Sequence, residues 1–430
     1  MRLVQSLRVP RLRVPSPGSG TWALAKSPCR GRHTGPAWIW HLGTMSRQPG
    51  RVFPPAGASA GSVRLRAQAV VGRDRVFEPG EVLIEDGRCV AVRPSRSGSA
   101  LPAILIPGLV DLQVNGLEEM DVVDAQESTW TKLDMALLKT GVTTWCPAVA
   151  TLPAGAIEAV LGAIGSLAMN RPVVGGMQLR PGIAGVHLEG PFLGEKSGAH
   201  RPEWIREIDL RWLGALPGFV AAMTLAPECP GALDATALLA SRGALVALGH
   251  SNATYEQAVA AIEAGARLVT HLGNAMGPLH HRSPGLIGAA LCDDRVAVSL
   301  IADPHHLHPA MIDLAFRSKG PDGVVLISDS VATTPARVGG SARFVKGKLR
   351  GSRNGLSHAL AFSVLKAGVS LPRACNAASS LPAHLLGFED RGILEPGRRA
   401  DIVALDPHLL LPVATWIAGE LAYCSGAVPQ

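Results

Sequence analysis

Five residues that could bind a metal or move a proton follow short apolar runs in the middle of the chain. They are Glu189, His250, His271, His306 and Asp329. One carboxylate and two imidazoles give three protein ligands, the number with which a catalytic zinc-type site keeps a coordination position open for water. A metal in such a site lowers the pKa of bound water, so that hydroxide is available near neutral pH. These residue types therefore predict metal-assisted hydrolysis.

Two of the five residues remain for other tasks. Asp329 is a carboxylate that could take a proton from the water and return it to a leaving group. His306 could donate a hydrogen bond to a carbonyl oxygen and stabilise the charge that develops there. A single histidine after an apolar run is more often a hydrogen-bonded structural residue, so the prediction depends on the five lying together.

Eight apolar, β-rich runs separated by helical stretches must position these residues. The runs are 109–114, 142–146, 184–189, 220–225, 244–249, 267–271, 296–302 and 324–329. The stretches 129–141 and 254–266 carry apolar residues at helical spacing, and Thr254 and Gln257 have capping-box spacing. This alternation predicts the α/β class, and eight strands favour a (β/α)8 TIM barrel over a doubly wound sheet. The five residues would then meet at the mouth formed by the carboxyl ends of the strands.

The two ends of the chain differ from this middle. Alternating apolar runs within 63–93 and 400–420 predict antiparallel strands. We predict that residues 61–106 and 396–430 form one small β-sandwich domain and that residues 107–395 form the barrel. Residues 1–60 contain nine Lys or Arg and no Asp or Glu. Such a leader is predicted to be disordered, as either an organelle transit peptide or sequence upstream of a true start at Met45.

The composition excludes several classes of protein. Hydrophobic residues make up 47% of the 430 residues, enough for a large core, but no run of eighteen apolar residues indicates a membrane span. The net charge of +7 comes from the leader, so we predict neither a nucleic-acid nor a membrane partner. Seven cysteines without a CxxC pair argue against a disulfide framework or a thiolate zinc site and favour a reducing, cytoplasmic compartment.

Several motifs together resemble the amidohydrolase superfamily, and within it the N-acetylglucosamine-6-phosphate deacetylase family. The specific motifs are HLEGP (187–191), GHSNA (249–253) and THLGNAM (270–276), whereas ADIVALD (400–406) is shared by many amidohydrolases. The resemblance extends from about residue 64 to the carboxyl terminus. It implies hydrolysis of the acetamide of N-acetylglucosamine 6-phosphate to glucosamine 6-phosphate and acetate, by a homo-oligomer that is a dimer or a tetramer.

The resemblance also implies a role for each matching residue. Glu189, His250 and His271 would bind the metal. Asp329 would be the catalytic acid/base, and His306 would polarise the acetyl carbonyl. The substrate would contact Ala199, His200, Asn274, Ala275, Arg282 and His306. Arg282 in this family commonly reaches into a neighbouring subunit, and its alternative is a solvated loop cation.

Gln113 and Asn115 bear on the number of metal ions. Many amidohydrolases have His-x-His at the end of the first strand and bind two metals, whereas amides are poor ligands for a transition ion. We therefore expect one divalent ion per subunit. Zinc ranks first, and ferrous iron, manganese and cobalt would also suit a Glu/His/His site.

Two alternative functions stay open. The galactosamine epimer of the substrate differs in one hydroxyl, which no motif here reports. The other alternative is a barrel that holds a metal and acts only as a binding protein, although such a protein would not need the spare carboxylate of Asp329.

The chain also departs from the usual pattern of the family. Gly273 could loosen the wall beside His271, and Pro304 could stiffen or misplace the loop of His306. LISDSVA (326–332) and LRGSRNG (349–355) differ as well, the latter standing where the family reads closer to LAGS.

Overall fold

A computed structural model of the chain describes residues 62–96, 101–124, 126–169, 179–333, 344–345 and 348–426. The predicted leader lies outside them. The strands are β1 (Ser62–Val71), β2 (Val76–Phe77), β3 (Gly80–Glu85), β4 (Arg88–Pro94), β5 (Leu101–Pro107), β6 (Leu109–Val114), β7 (Gly116–Leu117), β8 (Met120–Asp121), β9 (Val142–Ala150), β10 (Gly182–Ile183), β11 (Val186–Glu189), β12 (Val220–Leu225), β13 (Leu245–Leu248), β14 (Leu268–Val269), β15 (Ala297–Leu300), β16 (Val324–Leu326), β17 (Phe344–Val345), β18 (Lys348–Leu349), β19 (Ile402–Leu405), β20 (Pro412–Ile417) and β21 (Glu420–Cys424).

The helices alternate with the strands of the middle segment. They are α1 (Glu127–Lys139), α2 (Ala156–Met169), α3 (Leu210–Ala215), α4 (Ala232–Ser241), α5 (Tyr255–Ala264), α6 (Gly285–Cys292), α7 (Pro309–Lys319), α8 (Leu356–Leu365), α9 (Leu371–Cys375) and α10 (Leu381–Leu385), with a 3-10 turn at Pro202–Trp204 and a π-helical turn at Asn376–Ser380. The predicted capping box of α5 is confirmed, with the Thr254 side chain accepting from the Gln257 backbone and the Gln257 side chain accepting from that of Thr254.

Eight parallel strands form the barrel and coincide with the eight predicted runs. Their order is β6-β9-β11-β12-β13-β14-β15-β16, and the short β10 also pairs with β9. The ring nears closure at Ser330, whose carbonyl accepts from the backbone N–H groups of Asn115 and Gly116 at 2.8 and 3.0 Å. The predicted (β/α)8 fold with a separate small β unit is confirmed.

The barrel strands are largely apolar because both of their faces are buried. In β13, Leu245 and Ala247 belong to the cluster inside the barrel. Val246 and Leu248 belong to the cluster between the strands and the helices. Side chains alternate between the faces of a strand, so a strand covered on both sides carries mostly apolar residues. The polar residues within these strands, such as Asp111 and Gln113 of β6 and His187 of β11, are buried and hydrogen-bonded.

The remaining long strands form a small sheet from both ends of the body. Its order is β21-β20-β19-β5-β1-β3-β4, with β2 beside β1. The strands come from residues 62–107 and 402–424, and the predicted domain boundaries themselves stay predictions. Gly108 alone separates β5 from β6, and a Cβ there would collide with Thr143 and Asp401. The small sheet thus joins the barrel without a flexible linker.

Two further observations concern the described residues alone. Among them, no helix combines the length and apolar character required to cross a bilayer. Their six cysteines all carry free thiols: Cys89, Cys146, Cys229, Cys292, Cys375 and Cys424.

Candidate active site

Four of the five residues from the sequence analysis lie at the carboxyl ends of barrel strands. Glu189 ends β11, His250 and His271 follow β13 and β14 by two residues, and Asp329 follows β16 by three. His250, His271 and Asp329 have positive φ angles of 50°, 34° and 44°. Such a backbone conformation costs a residue with a side chain about 1–3 kcal/mol and tends to occur at functional sites. This strained backbone conformation therefore occurs at three positions around the mouth of the barrel.

Glu189, His250 and His271 converge on one point. Oε1 of Glu189 lies 3.0 Å from Nε2 of His250 and 3.0 Å from Nε2 of His271, and the two Nε2 atoms are 3.0 Å apart. All three side chains are buried, with exposed fractions of 4–7%. Three donor atoms of the types that hold zinc-like ions therefore form one tight triangle.

This donor set fits a divalent cation. Two neutral imidazole nitrogens in contact can share only one proton, so one ring must donate and the other accept. A cation would instead receive a lone pair from each Nε2 and from the carboxylate. Nδ1 of His250 and Nδ1 of His271 have no hydrogen-bond partner among the described residues. With a cation bound, a ring proton on Nδ1 would leave Nε2 of each histidine free to bind the metal.

Asp329 lies beside this triangle, linked to it by an amide. Nε2 of Gln113 donates to Oε1 of Glu189 and to Oδ1 of Asp329, each at 2.9 Å. Nδ2 of Asn115 donates to the same Asp329 oxygen at 2.8 Å. Burial and the charge of Glu189 hold the pKa of Asp329 well above its ordinary value. Burial would also raise the pKa of Glu189, but hydrogen bonds to His250 and His271 hold it well below the usual range.

His200, which the sequence analysis assigned to substrate binding, is a third imidazole beside Glu189. Its Nε2 lies 3.7 Å from Oε2 of Glu189, and its ring stands edge-on to that of His250 at 4.4 Å. Glu189, His200 and His250 also form a group that could hold a metal ion. Burial, reinforced by the nearby His250, lowers the pKa of His200 to about 3, so the ring is neutral at pH 7.

The contacts of Thr151 indicate which nitrogen of the neutral His200 ring carries the proton. The backbone N–H of Thr151 donates to Nδ1 of His200 at 3.4 Å, and Oγ1 of Thr151 lies 2.7 Å from the same atom. The backbone contact favours the tautomer in which Nδ1 accepts and Nε2 carries the proton. An Nε2–H group is a hydrogen-bond donor, which suits His200 for contacting an oxygen of a substrate.

His306 belongs to a neighbouring network. Its Nδ1 lies 2.9 Å from Oδ1 of Asp303, whose other oxygen accepts from Oγ of Ser352 at 2.9 Å. The Ser352 backbone N–H in turn donates to the Asp329 carbonyl at 2.9 Å. Among the described residues, no direct hydrogen bond joins His306 to the Glu189 triangle. The His306 side chain is held in place despite the preceding Pro304. The Asp303 side chain contacts the ring and also accepts a hydrogen bond from the His306 backbone N–H at 2.9 Å.

The other predicted substrate contacts divide into two groups. A Cβ at Gly198 would lie 3.1 Å from Cβ of Ala275 and 3.4 Å from the His250 ring, so the Ala199–His200 segment and the Asn274–Ala275 segment lie together at the mouth. Arg282 is exposed, and its Nη1 lies 2.8 Å from Nε2 of His281. Gly273 has φ +88°, a conformation that favours glycine.

A sequence model described as the amidohydrolase family matches residues 104–423. The chain belongs to the amidohydrolase family. The match includes every barrel strand and the carboxyl-terminal strands of the small sheet.

Several characterised amidohydrolases are similar to this chain over most of its length. An N-acetylgalactosamine-6-phosphate deacetylase of Escherichia coli O157:H7 is 35% identical, over 83% of this chain and 98% of its own. N-acetylglucosamine-6-phosphate deacetylases of Vibrio furnissii and Homo sapiens are each 34% identical, over 85% and 86% of this chain and 96% and 95% of theirs.

Solved amidohydrolase structures share the fold. An aspartate-to-alanine mutant of N-acetyl-D-glucosamine-6-phosphate deacetylase from Mycobacterium smegmatis, in complex with N-acetyl-D-glucosamine-6-phosphate, has a TM-score of 0.76 and 30% identity. It covers 84% of this chain and all of its own. The N-acetylglucosamine-6-phosphate deacetylase of Thermotoga maritima has a TM-score of 0.75 and 28% identity, with the same coverage.

The structure of this amidohydrolase adds residues that sequence reasoning missed. Gln113 and Asn115 had been noted only as poor metal ligands, yet their amides hold the acid/base candidate in place. Thr151 contacts Nδ1 of His200 and favours a proton on its Nε2, and Asp303 anchors His306. The position of Thr151 directly after β9 was an available signal, since side chains at strand ends line the mouth of such a barrel.

Proposed function

We propose that this amidohydrolase hydrolyses the acetamide of N-acetylglucosamine 6-phosphate to glucosamine 6-phosphate and acetate. The observation that carries the proposal is the buried triangle of Glu189, His250 and His271, linked through Gln113 to a carboxylate with a raised pKa. Relatives that share most of the chain carry the names of deacetylases of 6-phosphorylated amino sugars, which supports the choice of substrate.

Glu189, His250 and His271 would hold one divalent ion, with zinc the first choice. The ion would supply Lewis acidity, which acidifies water and polarises a carbonyl group. His200 is the alternative third ligand because it groups with Glu189 and His250, with its Nε2 3.7 Å from Oε2 of Glu189. The Nε2–H tautomer of His200 argues for Glu189, His250 and His271, since a protonated nitrogen has no lone pair to offer.

Asp329 would act as the acid/base. It takes a proton from the attacking water through a carboxylate oxygen and passes it to the amide nitrogen, because an amine leaves poorly as an anion. A carboxyl group with a raised pKa is suited to both transfers near neutral pH. The two amide donors of Gln113 and Asn115 fix the position of Oδ1 and leave Oδ2 for the moving proton.

His200 would donate its Nε2–H to the acetyl oxygen as negative charge develops there. The sequence analysis gave this role to His306. His200 is favoured because it lies beside Glu189 and its preferred tautomer donates from Nε2, whereas His306 contacts Asp303. We retain His306, Ala199, Asn274, Ala275 and Arg282 as proposed substrate contacts.

The N-acetylgalactosamine 6-phosphate reaction is the second candidate. An N-acetylgalactosamine-6-phosphate deacetylase is 35% identical to this chain, a level similar to that of the glucosamine deacetylases. The two reactions need the same hydrolytic groups and differ in how one hydroxyl is bound.

The deciding experiment is an assay of the purified protein after removal of metals and reloading with single ions. Its substrates are both 6-phosphorylated N-acetylhexosamines and their unphosphorylated forms, and released acetate is the readout. We expect metal-dependent release of acetate from the phosphorylated gluco substrate. Turnover of the galacto substrate alone would favour the second candidate, and absence of turnover with every ion would contradict both.

Two further features belong to the proposal. We propose a cytoplasmic location, which the free thiols of the six described cysteines support. We also propose a homo-oligomer, in which the exposed Arg282 of one subunit approaches the site of another.

A further inference from the structure

Glu228 lies beyond the end of a barrel strand that supplies none of the residues assigned so far. It follows β12 by three residues and is partly buried. β12 pairs on one side with β11, which ends at Glu189, and on the other with β13, which His250 follows. A carboxylate of no assigned role therefore lies between the strands of two proposed metal ligands.

The two oxygens of Glu228 accept hydrogen bonds from the two residues that follow His250. Oγ of Ser251 donates to Oε2, and the backbone N–H of Asn252 donates to Oε1, each at 2.7 Å. Both donors are neutral, and hydrogen bonds to an ionised carboxylate are about twice as strong as those between neutral groups. Glu228 therefore restrains the chain directly after His250.

The loop after β11 approaches the same carboxylate. The backbone N–H of Gly194 donates to the His250 carbonyl at 2.9 Å. A Cβ at Gly194 would collide with Oε1 of Glu228, so this close approach requires glycine. His250 is thus restrained at its own carbonyl by Gly194 and at the next two residues by Glu228.

The backbone of His250 needs such a restraint because it is strained. Its φ angle is 50°, and a residue with a side chain keeps this conformation only where the surrounding structure holds it. A rotation toward negative φ would move the ring and separate its Nε2 from Oε1 of Glu189, which lies at 3.0 Å. The geometry of the proposed metal ligands therefore depends on the loop that Glu228 restrains.

We propose that Glu228 is a positioning residue that acts on metal binding through His250. This inference rests on the proposed function, in which His250 is a metal ligand. The hydrogen bonds of Glu228 go to Ser251 and Asn252 rather than to the ring, so its effect is on the backbone that carries the ring. Holding a ligand in its bound conformation beforehand lowers the entropic cost of binding. Groups that orient a ligand in this way typically contribute about 10- to 100-fold to metal affinity.

The test is titration of the metal-free, full-length protein with Zn²⁺ in competition with a chromophoric chelator. Glu228→Ala removes both acceptors and should weaken Zn²⁺ binding by about 10- to 100-fold. Glu228→Gln removes the same charge, but its amide oxygen still accepts from the Asn252 N–H, so it should recover part of the lost affinity. Glu195→Ala is the matched control, because Glu195 is an exposed carboxylate next to Gly194. It should bind Zn²⁺ within about twofold of the wild type.

A second variant shows whether Glu228 acts through His250. In a His250→Asn background, Glu228→Ala should weaken Zn²⁺ binding no further, because the residue that it positions is already lost. Urea denaturation of the metal-free variants measures stability separately. A merely structural role would lower the free energy of unfolding and leave the Zn²⁺ affinity of the folded protein unchanged.

Three outcomes would overturn the inference. They are wild-type affinity in Glu228→Ala, a loss in Glu228→Ala that is matched by Glu228→Gln or Glu195→Ala, and additive losses when Glu228→Ala is combined with His250→Asn. Zn²⁺ binding that depends on both Glu228 and His250, without release of acetate from either phosphorylated amino sugar, would contradict the proposed reaction and leave the positioning role standing.

Discussion

Asp329 and Glu189 accept hydrogen bonds from one and the same nitrogen, Nε2 of Gln113, at 2.9 Å each. Two buried carboxylates at such close quarters ordinarily share a proton. Here the hydrogen bonds of two imidazoles lower the pKa of Glu189, while burial raises that of Asp329. Neighbouring acids whose pKa values are pushed apart take different roles. Glu189 is suited to bind a cation, and Asp329 is suited to carry a proton.

Asp329→Asn should reduce turnover by about 10²–10⁴-fold, because the amide keeps the shape of the side chain but cannot accept the proton. Metal content, measured by elemental analysis, should stay nearly unchanged. The exposed Asp294→Asn serves as the control and should behave as the wild type. Loss of metal together with activity would instead make Asp329 a ligand.

His271→Asn should remove most of the bound metal, since it deletes one of three proposed ligands. The wild type should contain one ion per chain, and the exposed His408→Asn should retain it. Equilibrium dialysis followed by elemental analysis measures both. Two tightly bound ions in the wild type, or full occupancy in His271→Asn, would contradict the single three-ligand site.

Comparing His200→Phe with His306→Phe identifies the donor to the acetyl oxygen. We expect His200→Phe to lower kcat by about 10²–10³-fold, the usual loss for an oxyanion donor, with metal retained. His306→Phe should have the smaller effect on kcat. The reverse order would restore the role that the sequence assigned to His306, and loss of metal from His200→Phe would make His200 a ligand.

Gln113→Leu should destabilise the metal-free protein by about 1–3 kcal/mol, because each of two buried carboxylates loses one hydrogen bond. Urea denaturation measures the free energy of unfolding. Gln126→Leu is the control, since Gln126 is exposed and its side chain makes no capping hydrogen bond. Equal midpoints for the two variants would mean that the shared amide contributes little to stability.

A protein that begins at Gly61, or at Met45, should retain the turnover of the full chain. The first 60 residues contain no acidic residue, no helical or strand periodicity and no motif. Activity at saturating substrate measures this directly. If the shortened protein folds, as judged by circular dichroism, but loses most of its turnover, the leader contributes to catalysis.

The barrel and its ligands could be predicted because their signals are local. Glu189, His250, His271 and Asp329 each lie at or just after the end of an apolar run. The sequence alone shows where such a run ends, and therefore which residues lie at the end of a strand. The His200–Thr151 pair joins loops 49 residues apart, and no local pattern encodes that contact. The bridging role of Gln113 was equally hidden, because it depends on the direction of one side chain between two strands.

The place of β5 in the small sheet affects how the protein is made. One edge of β5 pairs with β1 and the other with β19. During translation, β19 is synthesised some three hundred residues after β5. Until Ile402–Leu405 leaves the exit tunnel, β5 has an open, apolar edge directly preceding the first barrel strand. Open edges of this kind invite pairing with other chains. Native assembly is therefore completed only at the end of synthesis, and a premature stop before residue 402 leaves even an otherwise whole barrel prone to aggregate.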